Sequence, residues 1–276
     1  MQKIAFINGR FFHSDESHIS SFDRAVHFGD AVYETIYCYH QHLLCLNDHL
    51  IRLKNSLDIV GIPEPKYLTA FENIAHHLMQ KNTMSGEGYL FVCISRGVTQ
   101  VRSLLTSGEP TMIVQAFPYI FQHASFKKAT FIYDERWQRP WIKSTSLLTN
   151  TLAAHAAHNN NCDLAILCDK NNFITEGTHY NVFLVTKENS IITTPNNGSI
   201  LPGCTRAMIL SIAQSQNIPC EVRPIHQNDI SDAAAIFGSS SLMHIAPIRQ
   251  INDIFFEENP IVQKLQALYS QIVTQY

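Results

Sequence analysis

Short strand-like runs and amphipathic helical stretches are interleaved along nearly the whole chain, which leaves no room for an all-α or an all-β fold. The opening "KIAFINGRFF" is apolar on both sides of Asn8-Gly9, a strong hairpin signal. A polar loop and more strand-like sequence follow through "AVYETIYCYHQHLLCL". In "LNDHLIRLKNSLDIVGI" apolar residues fall at 46, 50, 53, 57 and 60, which predicts a helix capped by Asn47 or Asp48. "YLTAFENIAHHLMQKN" predicts a second amphipathic helix, and "GYLFVCISRG" and "PTMIVQAFPYIF" a pair of strands.

The mixed stretch "FPYIFQHASFKKA" reads as a crossing to a second unit. Beyond it come the strands "ATFIYDERW", "CDLAILCD", "FITEG", "YNVFLVT", "SIITTP", "CEVRPI" and "AAIFGS". Helices are expected over "SLLTNTLAAHAAHNNN", "CTRAMILSIAQSQNI", "QNDISDA" and the C-terminal "NPIVQKLQALYSQIVTQY". The expectation is therefore an α+β chain of two domains, residues 1–118 and 119–276. A length of 276 residues suffices for two modest cores.

Composition narrows the function classes. A net charge of −3 with dispersed basic residues argues against nucleic acid or an anionic membrane as partner. No apolar run approaches the roughly 20 residues of a spanning helix, and none at the start resembles a signal peptide. Seven cysteines form no CxxC pair, which reads as buried thiols in a reducing cytoplasm. Fourteen histidines raise the question of a metal. His155 with His158, and His40 with His42, bring no Cys, Asp or Glu at a metal-site spacing, and no HExxH occurs. The expectation is no metal site.

Chemistry concentrates after residue 140. Lys143 stands behind Trp141 and Ile142 and ahead of Leu147 and Leu148. A lone lysine there is more often structural, with its head in water, but burial would make its amine a nucleophile. Glu176 and Gly177 follow a strand-like "FIT", where a carboxylate is either a solvated turn residue or a partner for a heteroaromatic nitrogen. "ILPGCTRAMIL" runs from a Pro/Gly loop into a helix with Thr205 at or next to its N-cap, an arrangement suited to phosphate or to ordinary capping. "FGSSSLMHIAP" sets Gly238 and three hydroxyls after a strand, a second phosphate-type loop or a plain turn. An amine, a lone carboxylate and two such loops together describe the needs of pyridoxal 5′-phosphate.

In the same order, these segments resemble the class IV aminotransferases, pyridoxal-phosphate enzymes of fold type IV. "INGRF…ISSFDRAVHFGDAVYETI" resembles the family's N-terminal block, and "HLIRL" the helix supplying a phosphate-binding arginine, here Arg52. "IKSTSLLTNTLAAHAA" resembles the segment of the Schiff-base lysine, Lys143, and "ITEGTHYNVF" makes Glu176 the partner of the pyridine nitrogen. "ILPGCTR" places Leu201 near the ring and Thr205 on the phosphate, and "GSSS…IAPI" sets Ser241 where the family usually has threonine.

The resemblance implies a small N-terminal α/β domain and a larger C-terminal domain, β-barrel-like, carrying the lysine and the phosphate loops. It further implies cofactor between the domains and a homodimer whose second subunit completes the active site. The wording is closest to D-amino-acid aminotransferases, in which a tyrosine before a glutamate, here Tyr33 and Glu34, helps bind the substrate carboxylate. An "RxH" element from the neighbouring subunit completes that trap; Arg102 stands for its arginine, while Leu104 occupies the place of its histidine. The expected function is D-amino-acid transamination. The rival is 4-amino-4-deoxychorismate lyase, which uses the same lysine and releases pyruvate and 4-aminobenzoate. A branched-chain aminotransferase and a non-catalytic cofactor-binding protein are more remote.

Overall fold

The computed structural model describes residues 3–119 and 127–275. The chain folds into two units. One holds the described residues up to 119 together with Ile142–Ser146, and the other holds 127–141 and 147–275. The expected crossing over 117–129 lies in part outside the described residues.

The first unit contains β1 (Ile4–Ile7), β2 (Arg10–His13), α1 (Arg24–Phe28), β3 (Ala31–Tyr39), β4 (His42–Leu43), α2 (Leu46–Val60), α3 (Phe71–Lys81), β5 (Glu87–Ser95) and β6 (Thr111–Pro118). Its sheet runs β2-β1-β6-β5-β3-β4. Asn8 (φ 45°) and Gly9 (φ 95°) make the two-residue turn of the first hairpin, both in the positive-φ conformation that matches strand twist. Helix α2 buries His49, Arg52, Leu53, Ser56 and Leu57, one face at i, i+3, i+4, i+7 and i+8. Neither Asn47 nor Asp48 caps it. Cys45, in left-handed conformation (φ 53°), is the N-cap, because the chain turns into the helix directly after β4. Asp48 instead lies in the first turn, where its charge favours the free N–H ends.

The Lys143 segment, expected within the larger domain, folds with this first unit. Strand β4 pairs only with Cys38 and Tyr39, so the start of β3 is left with an open edge. Residues 143–145 satisfy it. Tyr33 N–H donates to the Lys143 carbonyl at 2.9 Å, Thr145 N–H donates to Ala31 at 3.0 Å, and Val32 bridges to Ser144.

The second unit contains β7 (Lys127–Tyr133), α4 (Leu148–Asn159), β8 (Leu164–Cys168), β9 (Phe173–Gly177), β10 (Asn181–Val185), β11 (Ile191–Thr193), α5 (Cys204–Ser215), β12 (Cys220–Val222), β13 (Ile225–His226), β14 (Ala235–Ser240), β15 (His244–Ile251), β16 (Ile254–Phe255) and α6 (Pro260–Thr274). The strand path is β12-β11-β10-β14-β15-β7-β8-β9-β13, with β16 on β15. Its two ends, β12 and β13, are separated in sequence only by Arg223 and Pro224. Three chain steps span at most about 11 Å, so the sheet must curl until its edges are neighbours. No ladder joins β12 to β13 among the described residues, so the curl is barrel-like without closing. Pro224, with no N–H to give, divides the single strand expected for "CEVRPI".

Two further differences from the sequence reading have local causes. "QNDISDA" forms a 3-10 helix, Gln227–Asp232, closed by a capping box between His226 and Asp229. Strand β15 was hidden in the sequence by Pro247, a residue that argues against a central strand. Among the described residues, pairing of β15 with β7 begins at Ile248. Phe183 and Phe237, stacked at 4.8 Å on β10 and β14, anchor the core of this unit.

Candidate active site

In the first unit, β3 and α2 set a buried polar cluster behind Lys143. Glu34 is fully buried and receives Arg52 Nε and Nη2, each at 2.7 Å, in a bidentate pair. His49 Nδ1 lies 2.7 Å from the second oxygen of Glu34. Burial works against ionisation of Glu34, but the charge and hydrogen bonds of Arg52, helped by His49, overcome it and hold the carboxyl at about 2. Burial is also the main cause that pushes His49 below its ordinary value. Lys143 is half-buried, with its Nζ 4.5 Å from the centroid of Tyr33 and its backbone N–H on Ser56 Oγ at 3.4 Å. Tyr33 packs in turn on Phe91, at 5.5 Å between ring centres. Alternation along β3 explains the division: Tyr33 and Glu34 point to opposite faces of the sheet.

In the second unit, Glu176 at the end of β9 is buried and surrounded by donors. Arg136 Nη1 reaches Oε1 at 2.5 Å, Asn181 Nδ2 reaches Oε2 at 3.0 Å, and Leu201 N–H lies 3.1 and 3.2 Å from the two oxygens. Asp134 holds the rest of Arg136, accepting from Nε at 2.9 Å and Nη2 at 2.8 Å. Burial disfavours both charges, yet the pairing raises Arg136 above its ordinary value and lowers Asp134 below its own. Asn181 Nδ2 also donates to the Leu201 carbonyl at 3.0 Å, so Glu176 and the loop before α5 are tied together.

That loop ends at Gly203, the N-cap of α5, and no side chain caps the helix. Thr205 is the second helical residue and is buried, so it is not the cap. A Cβ on Gly203 would lie 2.1 Å from Asn181 Oδ1, so a side chain there would have to push Asn181 aside. Asn181 pairs with Ser239 on β14, whose buried Oγ has no partner. Ser241 is half-buried in the turn from β14 to β15. Arg102 lies in the loop between β5 and β6, exposed, with its guanidinium 4.9 Å from the centre of Phe28; Leu104 beside it is 76% exposed.

Within the first unit, Lys143 and Tyr33 lie together at the start of β3, and Arg52 on α2 is held by Glu34, which points to the opposite face of the sheet from Tyr33. Within the second, Glu176, Leu201 and the start of α5 meet through Asn181. Sequence reasoning missed Glu34 and His49 as partners of Arg52, and Arg136, Asp134 and Asn181 as partners of Glu176. His49 and Arg52 at i, i+3 on a buried helix face were a usable signal; the link of Arg136 to Glu176, forty residues apart, left none.

Residues 31–251 match the model of the family described as amino-transferase class IV. The chain belongs to this family. Among curated proteins, the D-alanine aminotransferase of Staphylococcus haemolyticus is 27% identical over 97% of this chain and 97% of its own length. Among solved structures, the branched-chain aminotransferase of the archaeon Thermoproteus uzoniensis, solved with norvaline, superposes with a TM-score of 0.91. It is 23% identical, covering 99% of this chain and 95% of that one. A putative 4-amino-4-deoxychorismate lyase from Legionella pneumophila gives a TM-score of 0.84 at 27% identity over 92% and 95% of the two chains. The fold is that of the class IV aminotransferases, and so is the chemistry: an enzyme acting on small amino compounds with pyridoxal 5′-phosphate.

The residues present fit that cofactor. An anionic carboxylate fixed by Arg136, Asn181 and Leu201 suits a protonated ring nitrogen, which a neutral amide would not. The uncapped start of α5 offers backbone N–H groups to an anion, and the orphaned Ser239 Oγ marks unmet hydrogen-bonding capacity in the adjoining strand.

Proposed function

We propose that the chain is a D-amino-acid transaminase that works as a cytoplasmic homodimer. The observation that carries this reading is the run of D-alanine aminotransferases among its curated relatives, matched over nearly its whole length at 27–29% identity. Tyr33 beside Lys143 supports it, as does Arg102, a guanidinium available to a substrate carboxylate. The seven free cysteines support the reducing compartment. Exposed Val98, Val101, Leu104 and Leu105 on one loop support burial by a second copy.

In this reading Lys143 Nζ holds the cofactor's aldehyde carbon, Glu176 its pyridine nitrogen, and Arg52, Thr205 and Ser241 its phosphate, with Leu201 against the ring. Bound pyridoxal phosphate supplies an electron-withdrawing ring that takes up the electron pair left when Cα loses its proton. The Lys143 amine would be the base that takes the proton from the substrate's Cα and the acid that returns it. The ring of Tyr33, 4.5 Å from Nζ, fixes the lysine head. Arg136, Asn181 and Leu201 hold Glu176 in place. Arg102 and Tyr33 take the substrate carboxylate.

Incubation with D-alanine and 2-oxoglutarate should yield pyruvate and D-glutamate. A second reading, 4-amino-4-deoxychorismate lyase, is favoured by Leu104 in place of the expected histidine and by the Legionella neighbour. Release of 4-aminobenzoate from aminodeoxychorismate, without transfer from D-alanine, would move the assignment to the lyase.

A further inference from the structure

Phe28 ends α1 and carries a guanidinium on its ring from each of two arginines: Arg24 at 4.7 Å and Arg102 at 4.9 Å from the ring centre. The two play different parts. Arg24 is buried and immobilised, with Nε on Asp30 at 2.8 Å, Nη1 on the Ser103 carbonyl and Nη2 on the Leu104 carbonyl at 3.4 Å. Asp30 is itself clamped by Arg96, whose Nε donates to it at 2.8 Å and whose Nη2 and Nη1 donate to Val60 and Gly61 at the end of α2. Arg24 therefore grips the backbone of the two residues that follow Arg102 and also braces the ring on which Arg102 rests. Asp23 adds a third tie: it caps α1 at Ala25, accepts from Thr111 Oγ1 at 2.7 Å and bridges to Val98. Arg102 has no ion-pair partner among the described residues. Among the described residues, the ring of Phe28 is what its guanidinium rests on.

We infer that Phe28, braced by Arg24, is a positioning residue for Arg102, holding its guanidinium as a preorganised carboxylate reader. A long side chain on an exposed loop would otherwise lose rotamer freedom on binding an anion, and a flat ring under the guanidinium removes part of that loss beforehand. Stacking also leaves the edge of the guanidinium, where its N–H groups point, available for a bidentate carboxylate. The inference rests on the reading of Arg102 as a carboxylate ligand and holds for any amino substrate that carries an acid group.

The test is a double-mutant cycle on the holoenzyme, reading the inhibition constant of propionate, a carboxylate with no amine. Phe28→Leu should weaken propionate by roughly two- to fivefold, the size of an exposed cation–π contact. Phe28→Tyr should restore it, and Phe28→Leu should have no further effect in an Arg102→Met background. If Phe28→Leu proves unfolded by circular dichroism, Phe28→Met carries the same cycle. Equal weakening by the Phe28 change with and without Arg102 would overturn the inference, since a merely structural role behaves that way. No weakening by Phe28→Leu beside a large loss in Arg102→Met would overturn it as well. If Arg102→Met itself leaves propionate binding intact, the carboxylate reading beneath the inference fails instead.

Discussion

Glu34 and Arg52 form a bidentate pair at 2.7 Å on both arms, with Glu34 fully buried and Arg52 nearly so. An arginine expected to bind phosphate is thus fixed from behind by a carboxylate that cancels its charge, so it offers aimed donors more than net positive potential. Glu34→Gln leaves the guanidinium buried without a counter-charge, and the expected cost is about 3–5 kcal/mol. The pH dependence has a definite sign. The Glu34 carboxyl falls from 4.5 unfolded to about 2 folded, so its contribution is complete above 4.5 and is lost as pH falls towards 2. Urea unfolding at pH 5.5 and pH 3 should show a shallower acid loss in Glu34→Gln than in the parent; parallel losses would contradict the assignment.

Arg136 joins two carboxylates, half-buried Asp134 and buried Glu176, and removing it takes away the guanidinium that both share. Arg136→Met should destabilise the second unit by about 3–5 kcal/mol and weaken pyridoxal-phosphate affinity, because Glu176 then loses the guanidinium that orients it. Arg136→Lys should fall between the two, since an ammonium restores charge without the fork. Spectral titration of the apo protein with the cofactor checks the order; a Met variant that binds as tightly as the parent would show that Glu176 does not depend on Arg136.

Lys143→Ala should remove turnover, with a fall of at least about 10²–10⁴-fold from loss of the acid–base amine alone. The near-visible absorbance that the cofactor acquires on bonding to the lysine should vanish with it. Its neighbour gives a graded counterpart. Tyr33→Leu keeps the amine but removes the ring that positions it. Turnover should therefore fall in Tyr33→Leu, by less than in Lys143→Ala, and an unchanged kcat would deny the ring that role.

Much of this was legible in the residues and some of it could not be. Hairpin chemistry at Asn8-Gly9 and the 3.6-residue period of α2 are local codes, and both elements form where those codes place them. The helix start at Leu46 was not legible, because a left-handed Cys45 carries no compositional mark. Lys143 was recognisable, but its home was not: the segment joins the first unit through the open edge of β3, a consequence of how short β4 is. Strand β15 was hidden by Pro247, a residue that argues against a strand interior. Charged partners were the least legible of all, since Arg136, Glu176 and Asn181 meet only when β9, β10 and the segment after β7 are assembled.

Gly203 offers a test of the phosphate end that touches no charged residue. Its φ of −71° is open to any amino acid, so backbone strain is not at issue, yet a Cβ there would lie 2.1 Å from Asn181 Oδ1. Gly203→Ala must therefore push Asn181 or the start of α5 aside, an overpacking cost of about 1–3 kcal/mol. Asn181 supports Glu176 and the Leu201 carbonyl, so the same displacement loosens the carboxylate and the helix start together. The variant should melt at lower temperature and gain less stability from added pyridoxal phosphate than the parent does. Thermal unfolding with and without the cofactor separates the two effects. A lower melting point with undiminished cofactor stabilisation would mean that the loop before α5 is structural and does not serve the phosphate.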